Sequence, residues 1–250
     1  MKPAIQSNRA FTLVEMLVVI AIIGILAALL LPVLSSAKGN ARRTACLDNL
    51  RQINQGIHMY CDDSSDISPL TKNPSEHMPS LAYKKLMKSY VALKGPSSPR
   101  DRIFACPADT YYYDQLKDSR GYYNIWTNVP HGQHEQRRYD YSSYWFNGFN
   151  FHTNDNPEAA AWLGIAGRQL ASIKEPARTV LVAESPAFFP YSWHEPKPGE
   201  GPMFNDASNV VSFVDGHASY LKIYWPEVPG NLLACFSDPP AGYGYKWSGD

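Results

Sequence analysis

Nineteen consecutive residues, Met16 to Leu34, carry no polar side chain, and this run constrains the fold more than any other part of the chain. As a helix it is long enough to cross a hydrocarbon core of roughly 30 Å. A secretory signal peptide has an apolar region of about 7 to 15 residues followed by its cleavage site, which is shorter. A buried helix of a soluble protein is disfavoured because the run has no polar face. A single-pass anchor needs only the apolar run, but it does not need the carboxylate at Glu15, which stands at the edge of the apolar run. An ionised group near the centre of a span costs about 2.5 to 3.5 kcal/mol on insertion scales, less near the interface, so it calls for a partner. None is expected within the span, since Lys2 and Arg9 lie in the segment before it and the next cations, Lys38, Arg42 and Arg43, lie beyond it, Lys38 being on the order of 35 Å from Glu15 along a helix.

The junction of the basic decapeptide Met1 to Ala10 with Phe11-Thr12-Leu13-Val14-Glu15-Met16-Leu17-Val18-Val19-Ile20 resembles the N-terminal processing signal of type IV prepilins and of type II secretion pseudopilins. The resemblance implies that a prepilin peptidase cuts between Ala10 and Phe11 and methylates the new amine of Phe11. The family usually has Gly before the cut, where this chain has Ala10. Cleavage would create a cation four residues from Glu15, either in the same helix or, in a filament, in the neighbouring subunit, which makes Glu15 an assembly residue. Pro32 falls at position 22 of the mature chain, where similar pilins often carry Pro, and is expected to kink the helix by removing one backbone hydrogen bond.

Charge counting does not choose an orientation, because Lys2 and Arg9 on one flank are answered by Lys38, Arg42 and Arg43 on the other. The resemblance implies an inner-membrane, single-pass protein whose C-terminal domain lies in the periplasm or on the cell exterior. It implies a structural subunit of a type IV pilus or type II secretion pseudopilus, without enzymatic activity. Its partners would be the prepilin peptidase, other pilin or pseudopilin subunits, the inner-membrane assembly machinery and membrane lipid.

The predicted organisation is a leader at 1–10, a transmembrane helix at 11–34, an amphipathic continuation of that helix at 35–61, and a β-rich domain at 62–250. Cys46, Leu50, Ile53, Ile57 and Tyr60 follow spacings of 4, 3, 4 and 3 and form one helical stripe, expected to pack on the domain. Abundant Pro (20), Gly (16) and Tyr (16) favour β structure with long loops over a helical bundle. The predicted class is therefore α+β, a long N-terminal helix packed on an antiparallel β-sheet domain, and the resemblance makes it pilin-like. The chain holds 23 basic and 23 acidic residues, and removing Lys2 and Arg9 leaves 21 against 23, so no basic footprint for nucleic acid is expected.

Further elements are predicted at about Ser80 to Ala92, a short helix, and Thr179 to Glu184, a central strand. Val210 to Val214 and His217 to Leu221 flank Asp215-Gly216, which predicts a two-residue type I′ hairpin pairing Val214 with His217 and Val211 with Tyr220. This hairpin resembles the C-terminal signature of a pilin-like group defined by His, nine residues and Asp-Gly, with Asn205 at the His position. The stretches Cys46 to Ile53, Phe104 to Asp109 and Ile173 to Glu184 resemble the same group.

Four widely spaced cysteines, Cys46, Cys61, Cys106 and Cys235, contain no CxxC pair, which argues against a zinc ribbon or thioredoxin-like site. They are candidates for disulfides if the domain lies outside the cytoplasm. Cys46 and Cys61 share the predicted helix at roughly 22 Å, too far to bridge each other, so each would need Cys106 or Cys235; four buried thiols are the alternative. His131, His134 and Glu135 sit in a loop context and match no zinc-protease order, and no metal is assigned to them. Asp62, Asp63 and Asp66 raise calcium without the EF-hand order, and the cofactor expectation is none, calcium being the exception to test. No nucleophile elbow, P-loop or dinucleotide glycine pattern occurs. Residues 111 to 151 hold 13 of the 32 aromatics; packing on a sheet is the leading explanation. Stacking on sugar is the other, and it leads to the alternative function, a membrane-tethered envelope or glycan-binding protein that does not polymerise.

Overall fold

The computed structural model describes residues 12–70, 79–117, 123–148, 164–189, 191–197, 203–225 and 237–250. Ala10, Phe11 and Cys235 lie outside the described residues. By internal contacts the chain divides into two units, Met1–Ala41 and Arg42–Asp250.

In the first unit the described residues form one helix, the start of α1 (Leu13–Asp63). Its apolar side chains stand uncovered, with Leu13 80% and Leu31 66% exposed. The helix is long and apolar enough to cross a membrane, with a mean hydropathy of 3.2 over its most apolar window. Pro32 lies inside α1 without ending it.

In the second unit α1 becomes amphipathic and buries Cys46, Leu50, Ile53, Asn54, Gly56, Ile57 and Cys61. These positions recur at helical spacing and place one face in the core, with Tyr60 partly buried against the same cluster. A second helix, α2 (Pro79–Met87), stops short of the predicted Ala92. Beyond Met87 the chain tightens, Tyr90 N–H donating to Met87 O at 2.9 Å, and Ala92 takes a left-handed φ of 58°, which a continuing helix cannot accommodate.

Two antiparallel sheets follow. β1 (Tyr112–Lys117) pairs with β2 (Tyr123–Val129). The larger sheet has the order β3-β4-β5-β6, from Tyr144–Phe146, Val180–Glu184, Ala207–Phe213 and Ala218–Ile223. The fold is thus α+β with a long N-terminal helix and antiparallel sheets, as expected, and β4 is an inner strand.

The larger sheet is covered on both faces around β3 and β4. Tyr144 and Phe146 join the cluster that receives the α1 stripe, while Trp145 between them joins a second cluster with Phe188, Phe213, Tyr245 and Trp247, the alternation a pleated strand imposes. Burial on both faces explains why β4 reads Val-Leu-Val-Ala without polar alternation. Trp145 stacks on Tyr139 and Phe188 at centroid distances of 6.1 and 5.6 Å. Tyr112, Tyr139, Tyr144, Trp145 and Phe146 thus serve as core.

The β5–β6 hairpin differs from its predicted register by one residue: Val210 faces Tyr220 and Val211 faces Ser219. The loop has three residues, Val214, Asp215 and Gly216, with Phe213 N–H donating to His217 O at 2.9 Å and Gly216 N–H to Phe213 O at 3.0 Å. Gly216 alone of the three has positive φ, at 97°, whereas a type I′ turn needs two such residues. The cause is non-local: Val214 N–H donates to Thr179 O at 3.0 Å and Asp215 N–H to Pro176 O at 3.2 Å. These bonds remove Val214 from the β5–β6 ladder.

Candidate functional site

At the start of α1, Thr12 and Glu15 satisfy one another. The Thr12 backbone N–H donates to Glu15 Oε2 at 2.8 Å, the Thr12 hydroxyl donates to the same oxygen at 2.7 Å, and the Glu15 N–H donates to Thr12 Oγ1 at 3.2 Å. This is a capping box, Thr at the N-cap and Glu three residues on, which satisfies backbone donors that the helix itself cannot. The carboxylate also lies at the positive end of the helix dipole. The expectation that the chain offers Glu15 no partner nearby is therefore corrected: its partner is a neutral residue, Thr12, three positions back. The cation that cleavage would create belongs to residues outside the described set.

The second unit holds a buried polar centre. Cys46 of α1 is bonded to Cys106, with Cα atoms 5.2 Å apart and 60 positions between them in sequence. Cys61 is buried and has no disulfide partner among the described residues. Burial, followed by the charges of Asp66 and Asp62, pushes its thiol up to about 12, so it stays protonated and unreactive near neutrality. Beside the Cys46–Cys106 bridge stands Glu184, the last residue of β4 and fully buried. Its Oε1 lies 2.9 Å from His194 Nε2 and 3.1 Å from Cys106 Sγ. Its Oε2 accepts the Val210 N–H at 2.9 Å. Sequence reasoning missed this pair, although a carboxylate closing an otherwise apolar inner strand is a signal, because a buried charge must be partnered.

Next to the bridge is Asp109, whose Oδ2 accepts from the Ser143 hydroxyl at 2.7 Å and lies 2.9 Å from His134 Nδ1, while its Oδ1 accepts the Gln133 N–H at 2.8 Å. Ser143 Oγ in turn accepts the Cys106 N–H at 2.9 Å. The hydroxyl is thus aimed at the carboxylate and not at the imidazole, an arrangement that orders a loop and does not activate a nucleophile. Gly132 makes the loop feasible, since a Cβ there would stand 2.7 Å from Asp109 O. A pocket of about 740 Å³ opens here, bordered by Asn49, Arg102, Cys106, Asp109, His131 and His134.

Four of the remaining predicted positions, Asp63, Asp66, Asn205 and Asp215, have structural partners. Asp63 Oδ2 accepts the Tyr90 hydroxyl at 3.0 Å and Asp66 Oδ2 accepts the Ala171 N–H at 2.8 Å. Asn205 Oδ1 accepts the Trp225 N–H at 2.9 Å. Asp215 Oδ1 accepts the His217 N–H at 3.1 Å, and the His217 ring stacks on Phe213 at 4.3 Å.

Comparison with known proteins bears on the first of these places. Residues 5–31 match the prokaryotic N-terminal methylation motif, a span that includes Ala10, Phe11 and Glu15. Over 60 residues the chain is 42% identical to the type II secretion system core protein G of Klebsiella michiganensis, a match covering 24% of this chain and 42% of that protein. The chain thus matches less than half the length of that curated relative. No solved structure matches the chain. The apolar helix and the methylation motif together fit a membrane-anchored protein.

Proposed function

We propose that the chain is a structural subunit of a type IV pilus or type II secretion pseudopilus, made as a precursor, cut between Ala10 and Phe11 and methylated on Phe11. The observation that carries this reading is the Thr12–Glu15 capping box at the head of an uncovered apolar helix, inside the segment that matches the methylation motif. A plain anchor gains from an acid there only the helix cap. A subunit that must register against its neighbours gains a carboxylate held in one geometry. Cleavage places a cationic amine one residue before Thr12, where the Glu15 of the same or of an incoming subunit neutralises it.

The uncovered side chains from Leu13 to Leu34 serve twice, as the membrane anchor before assembly and as the packing surface between subunits afterwards. The N-terminus faces the cytoplasm, where the prepilin peptidase and the inner-membrane assembly machinery act, and the second unit lies in the periplasm or on the cell exterior. The chain catalyses nothing and carries no cofactor in this role. Identity with a type II secretion core protein supports the secretion branch.

The test is the mass of the N-terminal peptide from protein recovered from membranes, together with assembly of Glu15→Ala and Thr12→Val. Methylated Phe11 is expected at the N-terminus. Glu15→Ala is expected to insert normally and to be lost from filaments, while Thr12→Val, which removes the hydroxyl and leaves the carboxylate, still assembles. An intact Met1 peptide overturns the processing claim, and normal assembly of Glu15→Ala overturns the registration claim.

A further inference from the structure

The Cys46–Cys106 bridge does not stand alone: one ligand atom from each of Cys46, Cys106, Glu184 and His194 lies within 4.8 Å of every other. We propose that, when the bridge is reduced, these four residues bind a single divalent transition cation, with zinc the best match. Two thiolates, an imidazole and a carboxylate form a borderline-soft, four-member donor set, which suits tetrahedral zinc and disfavours calcium or magnesium.

The spacing fits. Bonds of about 2.0 to 2.3 Å to tetrahedral zinc separate the ligand atoms from one another by roughly 3.3 to 3.8 Å. Cys106 Sγ already lies 3.8 Å from His194 Nε2 and 3.1 Å from Glu184 Oε1. Opening the bridge lets the two sulfurs move apart to the spacing a shared cation requires. Glu184 and His194, now 2.9 Å apart, need to separate by only a few tenths of an ångström.

The surroundings already orient the donors, as outer-shell groups do at metal centres. The Val210 N–H holds Glu184 Oε2 at 2.9 Å, which turns Oε1 toward the sulfur. The Ala108 N–H donates to Cys106 Sγ at 3.4 Å, a bond that favours a thiolate there. The His194 N–H donates to Ser192 Oγ at 3.2 Å and sets that residue's backbone. Cys106 also borders the 740 Å³ pocket, which gives an ion a way in.

The chemistry balances with a dithiol as reductant. Two electrons and two protons pass from the dithiol to Cys46 Sγ and Cys106 Sγ, the S–S bond breaks, and the dithiol becomes a disulfide. The cation then displaces one proton from each thiol to solvent and takes the lone pairs of neutral His194 Nε2 and ionised Glu184. Bridge and metal are thus alternative closures of the same junction between α1 and the segment before β1.

The full chain in detergent micelles, prepared oxidised and reduced, is incubated with zinc or cobalt(II) and passed over a desalting column. The reduced chain is expected to retain one equivalent of zinc and the oxidised chain none. Cobalt should give tetrahedral ligand-field bands with a thiolate charge-transfer band. His194→Gln and Glu184→Gln should each weaken zinc retention more than about tenfold, while Cys61→Ser leaves it unchanged. If reduction alone loosens the fold, zinc added before the reductant should preserve the near-ultraviolet dichroism. The proposal fails if the reduced, folded chain retains no metal, if His194→Gln retains it equally, if the cobalt spectrum lacks the thiolate band, or if added zinc gives no protection.

Discussion

Glu15 folds back on Thr12, its Oε2 accepting both the backbone N–H and the hydroxyl of that residue at 2.8 and 2.7 Å. The acid that looks anomalous before an apolar helix therefore also starts that helix. Thr12→Val keeps the shape and removes the hydroxyl, and is expected to weaken the first turn by about 1 kcal/mol. Amide exchange at Glu15 and Met16 in micelles should speed up several-fold, with Thr12→Ser restoring the wild-type rate.

The Cys46–Cys106 bridge closes a loop with a sequence separation of 60. Chain entropy for a loop of that length gives about 4 kcal/mol of stabilisation. The double variant Cys46→Ala/Cys106→Ala, unfolded by urea in the presence of a chelator, should lose stability on that scale. Wild-type chain treated with reductant and chelator should match it.

Lys84 is fully buried, and its Nζ donates to the carbonyls of Asp140 and Tyr141 at 2.8 and 2.9 Å. Both acceptors sit at left-handed φ, 49° and 54°, so the ammonium stabilises a turn that side-chain-bearing residues seldom adopt. Asp101 faces both Lys84 (3.2 Å) and Lys88 (2.9 Å). Although burial pushes the Asp101 carboxyl up, hydrogen bonds from Lys88 and the Ser98 N–H, with the charge of Lys84, hold it below its ordinary value of 3.8. Its folded value is the lower one, so its contribution is fully present above pH 3.8 and is lost as pH falls through the depressed value. Asp101→Asn leaves two buried ammonium groups without their counter-charge and is expected to cost about 3 to 5 kcal/mol near neutrality. The part of the acid transition below pH 3.8 that belongs to Asp101 should also disappear.

At Gly216 the φ is 97° and an added Cβ would meet no atom within 4 Å. Gly216→Ala therefore isolates backbone strain from steric clash. A loss of about 1 to 2 kcal/mol in thermal unfolding is expected, without loss of the hairpin from amide-exchange protection patterns.

What the sequence made legible followed from local periodicity. The apolar run and the stripe from Cys46 to Tyr60 announced α1, because both depend only on residues within a few turns. The Thr-x-x-Glu spacing at 12–15 encodes the capping box, but considering only ionic partners for Glu15 leaves Thr12 out. The two hairpin strands were legible and their register was not, since the Val214 amide is claimed by Thr179 O, a bond no turn rule contains. Cys46 could be narrowed to Cys106 or Cys235 but not paired. The Glu184–His194 contact crosses ten positions of chain with an irregular path, and its only advance sign was a charge at the end of an apolar strand.

Residues 245 to 248 are woven into the middle of the second unit. Val180 N–H donates to Lys246 O at 2.9 Å, Asn147 Nδ2 donates to Trp247 O at 2.9 Å, and Tyr245 and Trp247 are each 1% exposed. On a ribosome making about 5 to 20 residues per second, these partners arrive roughly 3 to 13 s after Val180. For that interval one side of β4 and the Phe188 ring lack their cover, so the nascent unit cannot close. The backbone bridge between Thr179 and Lys246 is therefore among the last contacts that β4 and its flank can acquire.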